Sequence, residues 1–367
     1  MERGKRANKK RRGDSLRKQE RHQFRSNFSF LRVCFLLVAI TLLAHPLAGA
    51  AETGGGNQVR QVIPVGRAVG IKLFSDGVLV VGLSELKTEA GDASPAKACG
   101  LREGDIITHI NQQKVDTIEE VQTVLQNLSG DSMDLRILRE GKTMDANVQA
   151  VQCRSDGAYR LGAWIRDSMA GIGTVTFYDP ATKRFGTLGH GINDVDTAML
   201  MPLSSGSILP ATVADVNPGR SGQPGELRGV FQTGQDLGSL YANTSAGVFG
   251  RLGDESLIAG LTPVPVARPD QVHTGKAEIL SNISGETVES FEIEITKVNQ
   301  NAGDTRELML QVTDPALLSA TGGIVQGMSG SPILQDGNIV GAVTHVLVND
   351  PTRGYGIFLE TMLNAAE

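Results

Sequence analysis

The most constraining feature of this sequence is a succession of short apolar or alternating runs from about residue 154 to the end. Gly, Pro, Asp and Asn separate these runs, examples of which are residues 173–178, 291–296 and 339–344. Strands at this spacing, with almost no helical periodicity, are typical of a β-barrel or β-sandwich. The 44 glycines supply the positive-φ positions that many tight turns require. We therefore expect a mainly β protein.

The N-terminus has a different composition. Residues 1–32 hold twelve Lys or Arg and three acidic residues, and an apolar stretch follows directly at residues 33–44. A basic tract alone would suit a nucleic-acid partner. Basic flank, apolar core and the small residues 48–50, however, have the order of a secretory signal with an A-x-A cleavage site. Uncleaved, residues 31–50 are just long enough to span a membrane with the N-terminus in the cytoplasm.

These observations predict a basic leader at residues 1–51, either a signal peptide or a membrane anchor. Both interpretations place residues 52–367 outside the cytoplasmic membrane and predict no nucleic-acid partner. Residues 52–60 are Gly-rich and are expected to form a flexible linker. A compact region follows at residues 61–150, in which Thr117 and Glu120 form a capping box at the start of a helix.

A segment of this compact region resembles a known domain. Residues 100–111 read Gly-Leu-Arg-Glu-Gly-Asp-Ile-Ile-Thr-His-Ile-Asn, which is similar to the segment shared by PDZ domains of bacterial exported proteases. The resemblance implies an α+β PDZ domain at residues 61–150. PDZ domains bind extended peptides by strand addition and receive a C-terminal carboxylate on the N–H groups of a Gly-containing loop. That loop is expected at Val69, Gly70 and Ile71, although these residues also suit the start of a strand.

The clearest chemical signal is the run from Gly327 to Pro332, Gly-Met-Ser-Gly-Ser-Pro. Ser329 lies next to Gly330, so the backbone can turn tightly and present the hydroxyl. The N–H groups of Gly327 and Ser329 are unshielded and could point at a developing oxyanion. A structural Gly-Ser loop is the alternative interpretation.

A serine nucleophile needs a base, and His has a suitable pKa. The chain contains six His residues. Those outside the leader and the PDZ-like region are His190, His273 and His345. His190 lies between two glycines at a strand end and has the exposure that a base requires. His345 is expected on the strand after Ser329, as a pocket wall or structural residue.

Three segments together resemble the stage IV B sporulation peptidase family. They are residues 186–194, residues 321–332 and residues 341–351. The resemblance implies a chymotrypsin-like double β-barrel at residues 154–367, with Ser329 as nucleophile and His190 as base. It also implies that Asp314 completes the triad. In double-barrel proteases the acid usually comes from the first barrel, so four further candidates remain on chain order: Asp194, Asp196, Asp215 and Asp236.

The resemblance also implies a biological role, that of an exported serine endopeptidase in sporulation signalling. Such enzymes work between the forespore and mother-cell membranes. They cleave a membrane-bound regulator of an intramembrane metalloprotease, which then activates a sigma factor, and they cut themselves near the N-terminus. Residues 52–60 are a reasonable place for self-cleavage. The expected partners are thus a protein substrate, peptide C-termini at the PDZ domain and the membrane through the leader.

The remaining sequence motifs narrow the chemistry. There is no His-x-Glu-x-x-His, no Cys pair at ligand spacing and no phosphate-binding loop, so we expect neither a metal nor another cofactor. Cys99 and Cys153 are interpreted as two separate thiols, although an exported protein could also pair them in a disulfide. The alternative function is a non-catalytic PDZ-containing sensor or scaffold in the envelope, which would tolerate Ser329→Ala and His190→Ala.

Overall fold

The computed structural model describes residues 59–128, 132–300 and 305–367. The leader predicted at residues 1–51 and most of the linker lie outside these ranges, so the signal peptide and the membrane anchor stay predictions. Within the described ranges, none of the helices is both long and apolar enough to cross a membrane.

The described residues form twenty-three strands and four α-helices. The strands up to residue 179 are β1 (Gln61–Pro64), β2 (Ala68–Leu83), β3 (Leu86–Thr88), β4 (Gly91–Ala93), β5 (Ile106–Ile110), β6 (Gln113–Lys114), β7 (Ser132–Arg139), β8 (Lys142–Gln149), β9 (Val151–Gln152), β10 (Tyr159–Arg160) and β11 (Ala163–Asp179). The later strands are β12 (Arg184–Thr187), β13 (Ser205–Asn217), β14 (Glu226–Phe231), β15 (Gly238–Thr244), β16 (Gly247–Leu252), β17 (Val264–Pro265), β18 (Gly275–Ser284), β19 (Thr287–Val298), β20 (Leu308–Val312), β21 (Pro332–Gln335), β22 (Asn338–Leu347) and β23 (Asp350–Phe358). The helices are α1 (Pro95–Ala98), α2 (Ile118–Gln126), α3 (Pro315–Thr321) and α4 (Leu359–Ala365).

Six antiparallel strands close a first barrel. The ring runs β2–β11–β12–β16–β15–β13 and returns to β2. Ile71 on β2 illustrates the closure, because it lies opposite Gly171 on one side and Ile208 on the other. The barrel is filled by buried apolar side chains, among them Val69, Ile71, Val175, Phe185, Ile208 and Val248.

A second barrel is closed by β18, β19, β20, β23, β22 and β21, in that order. Strand β19 shows why it forms. Phe291, Ile293 and Ile295 are buried while the Glu residues between them are exposed, which is the alternation of a strand with one face in a core. Two six-stranded antiparallel barrels constitute the chymotrypsin-like fold, as expected from the sequence.

A smaller α+β domain is inserted into the first barrel. The chain leaves the barrel in the middle of β2 and returns in the middle of β11, and the intervening residues have their own core, which includes Val80, Ile107 and Leu135. The capping box predicted at Thr117 and Glu120 is present at the start of α2. The thiols of Cys99 and Cys153 are both free.

This insertion corrects the predicted boundary between the two domains. Residues 61–74 were assigned to the PDZ domain, but β1 pairs with β11 of the peptidase barrel, and residues 69–74 of β2 pair with β11 and β13. The prediction for Val69, Gly70 and Ile71 is wrong for the same reason. Both edges of this stretch of strand are paired with neighbouring strands, so it is not a loop whose N–H groups can receive a carboxylate.

Candidate active site

Ser329 and His190 lie on the wall of the same cavity, whose volume is about 480 Å³. Both barrels contribute to it. The first barrel supplies residues 169–172 of β11 and the loop after β12, and the second supplies residues 324–329 and the end of β22. Most other wall residues are aliphatic, and none carries a carboxylate, an ammonium or a guanidinium group. The cavity therefore suits an uncharged polypeptide segment.

The loop before β21 presents Ser329. A tight turn is closed by a hydrogen bond from Met328 N–H to the Val325 carbonyl at 3.1 Å. Gly330 follows with φ of +96°, and a Cβ there would lie 2.1 Å from the Thr174 carbonyl, so only glycine fits. The Ser329 hydroxyl donates to the Thr344 carbonyl at 2.7 Å.

Thr174 on β11 donates two hydrogen bonds to this loop, one to Ser329 and one to Gly327. Its N–H donates to the Ser329 carbonyl at 3.0 Å, and its hydroxyl donates to the Gly327 carbonyl at 2.8 Å. The Thr187 hydroxyl in turn donates to the Thr174 carbonyl at 2.6 Å. This role could not be predicted from the sequence, because Thr174 lies in an ordinary strand pattern and belongs to no motif.

The backbone N–H groups of Gly327 and Ser329 were predicted to form the oxyanion hole. Within the described part of the chain, no hydrogen bond uses either N–H group, whereas the neighbouring Met328 and Gly330 both donate to carbonyls. Two unpaired donors beside the nucleophile are what a tetrahedral oxyanion requires.

His190 follows β12 and is oriented by its own neighbour. Its Nδ1 lies 2.8 Å from the Gly191 carbonyl. Because a carbonyl only accepts, Nδ1 must carry the proton, which leaves Nε2 as the basic nitrogen. Burial lowers the pKa of His190, and the bond to Gly191 opposes this effect. The ring is thus neutral and ready to accept a proton at neutral pH.

His345 contacts the base directly. Its ring centroid lies 4.9 Å from that of His190, with 36° between the ring planes, and it lines the same cavity. It is thus a wall residue, as the sequence indicated, but it lies on β22, the second strand after Ser329. A ring in this position limits how far the His190 imidazole can rotate.

The structure does not place Asp314 against His190. Asp314 is the N-cap of α3, where one carboxylate oxygen accepts from the N–H groups of Ala316 and Leu317. The other oxygen accepts from Glu292 N–H at 3.3 Å. This carboxylate is therefore engaged in holding the helix, and the prediction that it completes the triad is corrected.

The other carboxylate candidates do not bond to His190 either. Asp194 is buried and accepts from Thr197, Asp196 and Arg166, and Asp196 also pairs with Arg166. Among the described residues, no hydrogen bond joins a carboxylate to the His190 ring, whose Nδ1 faces the Gly191 carbonyl instead. That carbonyl fixes the tautomer, which is one of the two tasks of the acid in a Ser-His-Asp triad.

Asn243 supports the loop that carries His190. Its amide oxygen accepts from Ile192 N–H at 2.9 Å, and its amide nitrogen donates to the carbonyls of Ile192 and Met201. This residue on β15 was not identified from the sequence. The neighbouring position 191 must be glycine, because a Cβ there would lie 2.6 Å from the Thr244 carbonyl.

A second cavity of about 790 Å³ lies in the inserted domain, between α2 and the first residues of β11. Its apolar wall includes Val121 and Leu125 on α2, and Leu161 and Ile165 on the facing side. Over residues 163–170, β11 pairs with β2 along one edge, and the described strands leave its other edge unpaired. An unpaired edge beside a helix is the geometry for strand addition. This cavity is therefore the candidate peptide groove, in place of residues 69–71.

Comparison with protein families agrees with both parts of this architecture. The model of the SpoIVB peptidase S55 family matches residues 157–363, more than half of the chain. A PDZ domain model matches residues 88–139, within the inserted domain.

One curated relative matches a short stretch of the chain. The zinc metalloprotease RasP of Shouchella clausii is 34% identical over 62 residues, which cover 17% of this chain and 15% of that protein. The chain thus spans a small part of the length of this curated relative.

Solved structures show weak likenesses. The HtrA-type protease AlgW with a decapeptide has a TM-score of 0.32 at 16% identity, over 55% of this chain and 52% of that one. The active form of the Rv3671c protease from M. tuberculosis has a TM-score of 0.28 at 15% identity, over 54% of this chain and 73% of that one. The PDZ domain of an SdrC-like protein from Listeria monocytogenes has a TM-score of 0.21 at 22% identity, over 24% of this chain and 87% of that one. These scores are too low to carry an assignment.

The family match covers the catalytic loop, the base and nearly all of the second barrel, and the geometry joins Ser329 to His190 in one cavity. The chain therefore belongs to the SpoIVB peptidase S55 family, with a PDZ domain inserted into its first barrel.

Proposed function

We propose that this protein is an exported endopeptidase of sporulation signalling, which cleaves a membrane-bound regulator of an intramembrane metalloprotease and also cleaves itself. The observation that carries the proposal is the shared cavity of Ser329 and His190, in a chain whose family model matches a sporulation peptidase. The site of action is the space between the forespore and mother-cell membranes, reached through the basic, apolar leader.

The chemistry follows from the hydrogen bonds of the resting site. The Ser329 hydroxyl turns from the Thr344 carbonyl toward Nε2 of His190 and attacks the scissile carbonyl, while Nε2 takes its proton. The oxyanion of the tetrahedral intermediate is bound by the N–H groups of Gly327 and Ser329. The imidazolium then returns the proton to the leaving amine, and water releases the acyl group by the same steps in reverse.

The cavity also supports a protein substrate. An extended chain placed in it meets residues 169–172 of β11, where Ala170 and Gly171 are exposed. An exposed strand stretch can pair with an added strand. A regulator with an unfolded, uncharged segment outside the membrane therefore fits this site better than a small molecule does.

The test uses the full chain and its Ser329→Ala variant, each incubated with the extracytoplasmic part of a candidate regulator and followed by intact-mass spectrometry. We expect cleavage of the regulator and of residues 52–60 by the wild type alone. Ser331→Ala is the matched control, because that hydroxyl lies two residues away and bonds to Ser281 at 3.1 Å. It should cleave as the wild type does. Identical behaviour of wild type and Ser329→Ala would favour the scaffold function.

A further inference from the structure

The segment that links His190 to β13, residues 191–203, packs against the inserted PDZ domain. A Cβ built on Gly104 would lie 2.5 Å from Sδ of Met199, so the two residues touch. Met201 belongs to a buried cluster with Leu79 and Ile106 of the PDZ domain. The segment that begins at the catalytic base therefore rests partly on the peptide-binding domain.

An ion pair holds the same segment to β11. Arg166 bonds to the carboxylate of Asp194, whose side chain is fully buried, and to that of Asp196 at 2.8 Å. Burial acts to raise the pKa of Asp194, but the hydrogen bonds from Thr197 and Arg166 outweigh it and hold the pKa below its usual value. Asp194 is thus charged, and removing Arg166 would leave a buried charge without its cation.

The next residue on β11, Asp167, contacts helix α2 of the PDZ domain. Asp167 accepts from Ile118 N–H, the first residue of α2, at 2.9 Å. Asp is favoured there, because the helix N-terminus carries partial positive charge. Neighbouring residues of one strand, Arg166 and Asp167, therefore hold the segment after His190 and the helix that forms one wall of the peptide groove.

A peptide bound in the groove would affect the contacts made by Arg166 and Asp167. Strand addition in the groove gives β11 hydrogen bonds on its unpaired edge, and residues 162–165 of its wall lie immediately before Arg166. Ordering of β11 at this point restricts Arg166, and through the ion pair it restricts Asp194. The base lies only four positions before Asp194.

We propose that Arg166 is a positioning residue for His190 and that it joins the PDZ peptide groove to catalysis, so that a peptide C-terminus in the groove orders residues 191–203 and raises turnover. This inference rests on the proposed peptidase function. It assigns regulation to the same site through Arg166, Asp167 and Asp194.

The first experiment compares Arg166→Ala, Arg166→Lys and Arg268→Ala in the full chain. Since a 1 Å misplacement of catalytic groups can cost about 100-fold in rate, we expect kcat of Arg166→Ala to fall by about 10- to 100-fold with little change in KM. Lysine keeps the charge and should restore part of kcat. Arg268 forms an exposed ion pair with Asp270, so its loss should change nothing. An unchanged kcat in folded Arg166→Ala overturns the proposal.

The second experiment measures the response to a peptide. The probe is acetyl-Ser-Thr-Ser-Thr-Val-Ile-Val with a free carboxylate, and its C-terminal amide is the matched control. Trp164 is the only tryptophan, lines the groove and is 66% exposed, so its fluorescence reports binding. We expect the acid to bind more tightly than the amide, to slow hydrogen exchange in residues 191–203 and to raise kcat. In Arg166→Lys the same peptide should bind but protect this segment less.

The outcomes separate the two proposals. A wild type that neither cleaves nor reacts with a fluorophosphonate contradicts the peptidase function, while hydrogen exchange still tests the coupling. Peptide binding without protection of residues 191–203 overturns the coupling and leaves the peptidase intact. Failure of the acid to bind at all also overturns it. If Arg166→Ala does not fold, Arg166→Lys and the exchange measurement decide the result.

Discussion

The hydroxyl of Thr174 donates to the carbonyl of Gly327 at 2.8 Å, across 153 positions of sequence. This bond ties the first barrel to the nucleophile loop of the second, and both of its atoms are buried. The nucleophile is therefore held by a strand of the opposite barrel as well as by its own turn. The loop and β11 should respond together to substitutions at Thr174.

Thr174→Val tests this tie. Valine keeps the shape but leaves the Gly327 carbonyl without its donor, and an unsatisfied buried group costs about 1–3 kcal/mol. We expect a lower free energy of unfolding in urea and a reduced kcat, because Gly327 is predicted to supply an oxyanion N–H. Thr174→Ser retains the hydroxyl and should retain most of kcat. Equal activity of the Val and Ser variants would contradict the tie.

The pH dependence follows from the lowered pKa of His190. The neutral ring is the base, so activity should persist below pH 6.5, the ordinary value, and disappear as the pH falls through the lowered pKa. The free energy of unfolding should change with pH in the same direction as activity. Above about 6.5 the ring is neutral in both states, and below it the unfolded chain binds the proton first, so the free energy of unfolding decreases.

The measurement is kcat/KM between pH 4 and 9, which reports groups of the free enzyme. His345→Phe keeps an aromatic ring beside His190 but cannot titrate, so the acidic limb should stay below pH 6.5 in this variant. Loss of the limb in His345→Phe would assign it to His345 instead. A wild-type limb at or above 6.5 would show that burial does not govern the base.

Asp314 offers a test of two incompatible roles. As the N-cap of α3, its replacement by Ala should cost about 0.5–2 kcal/mol of stability, whereas Asn, an equally good cap, should cost little. Neither change should lower kcat by more than a few-fold, because the His190 tautomer is set by Gly191. Thermal unfolding and kcat measured together decide the matter. A loss of about 10⁴ in kcat, as for a triad acid, with unchanged stability would restore the catalytic role.

Local signals in the sequence predicted local features well. The capping box at Thr117 and the glycines around Ser329 depend on residues a few positions apart, so they could be identified without the fold. Ser329 and His190 were proposed as nucleophile and base in this way, and the structure brings them into one cavity.

Features that depend on distant pairing were missed. Residues 69–71 look alike as a loop or as a strand, and only pairing with β11 and β13 shows which they are. The insertion of the PDZ domain inside β2 and β11 was hidden for the same reason, since each strand belongs to both domains. Thr174 and Asn243 carry no motif and act through partners far along the chain.

The uncharged wall of the active-site cavity predicts a preference for apolar residues beside the scissile bond. Val346 and Val348 line it, and Val348 is 46% exposed, so a charge placed at Val348 can reach solvent without unfolding the protein. An unpaired charge buried by a substrate is costly unless the substrate supplies its partner.

We therefore expect the wild type to cleave a peptide with Val or Leu before the scissile bond faster than matched peptides with Lys or Asp. Val348→Asp should improve the ratio for the Lys peptide, and Val348→Lys should improve the ratio for the Asp peptide, each by about tenfold for 1.4 kcal/mol of differential transition-state binding. The measurement is kcat/KM for the three peptides with each enzyme. If both variants shift the ratios in the same direction, Val348 does not contact the substrate; if the wild type prefers a charged peptide, a residue outside this wall determines specificity.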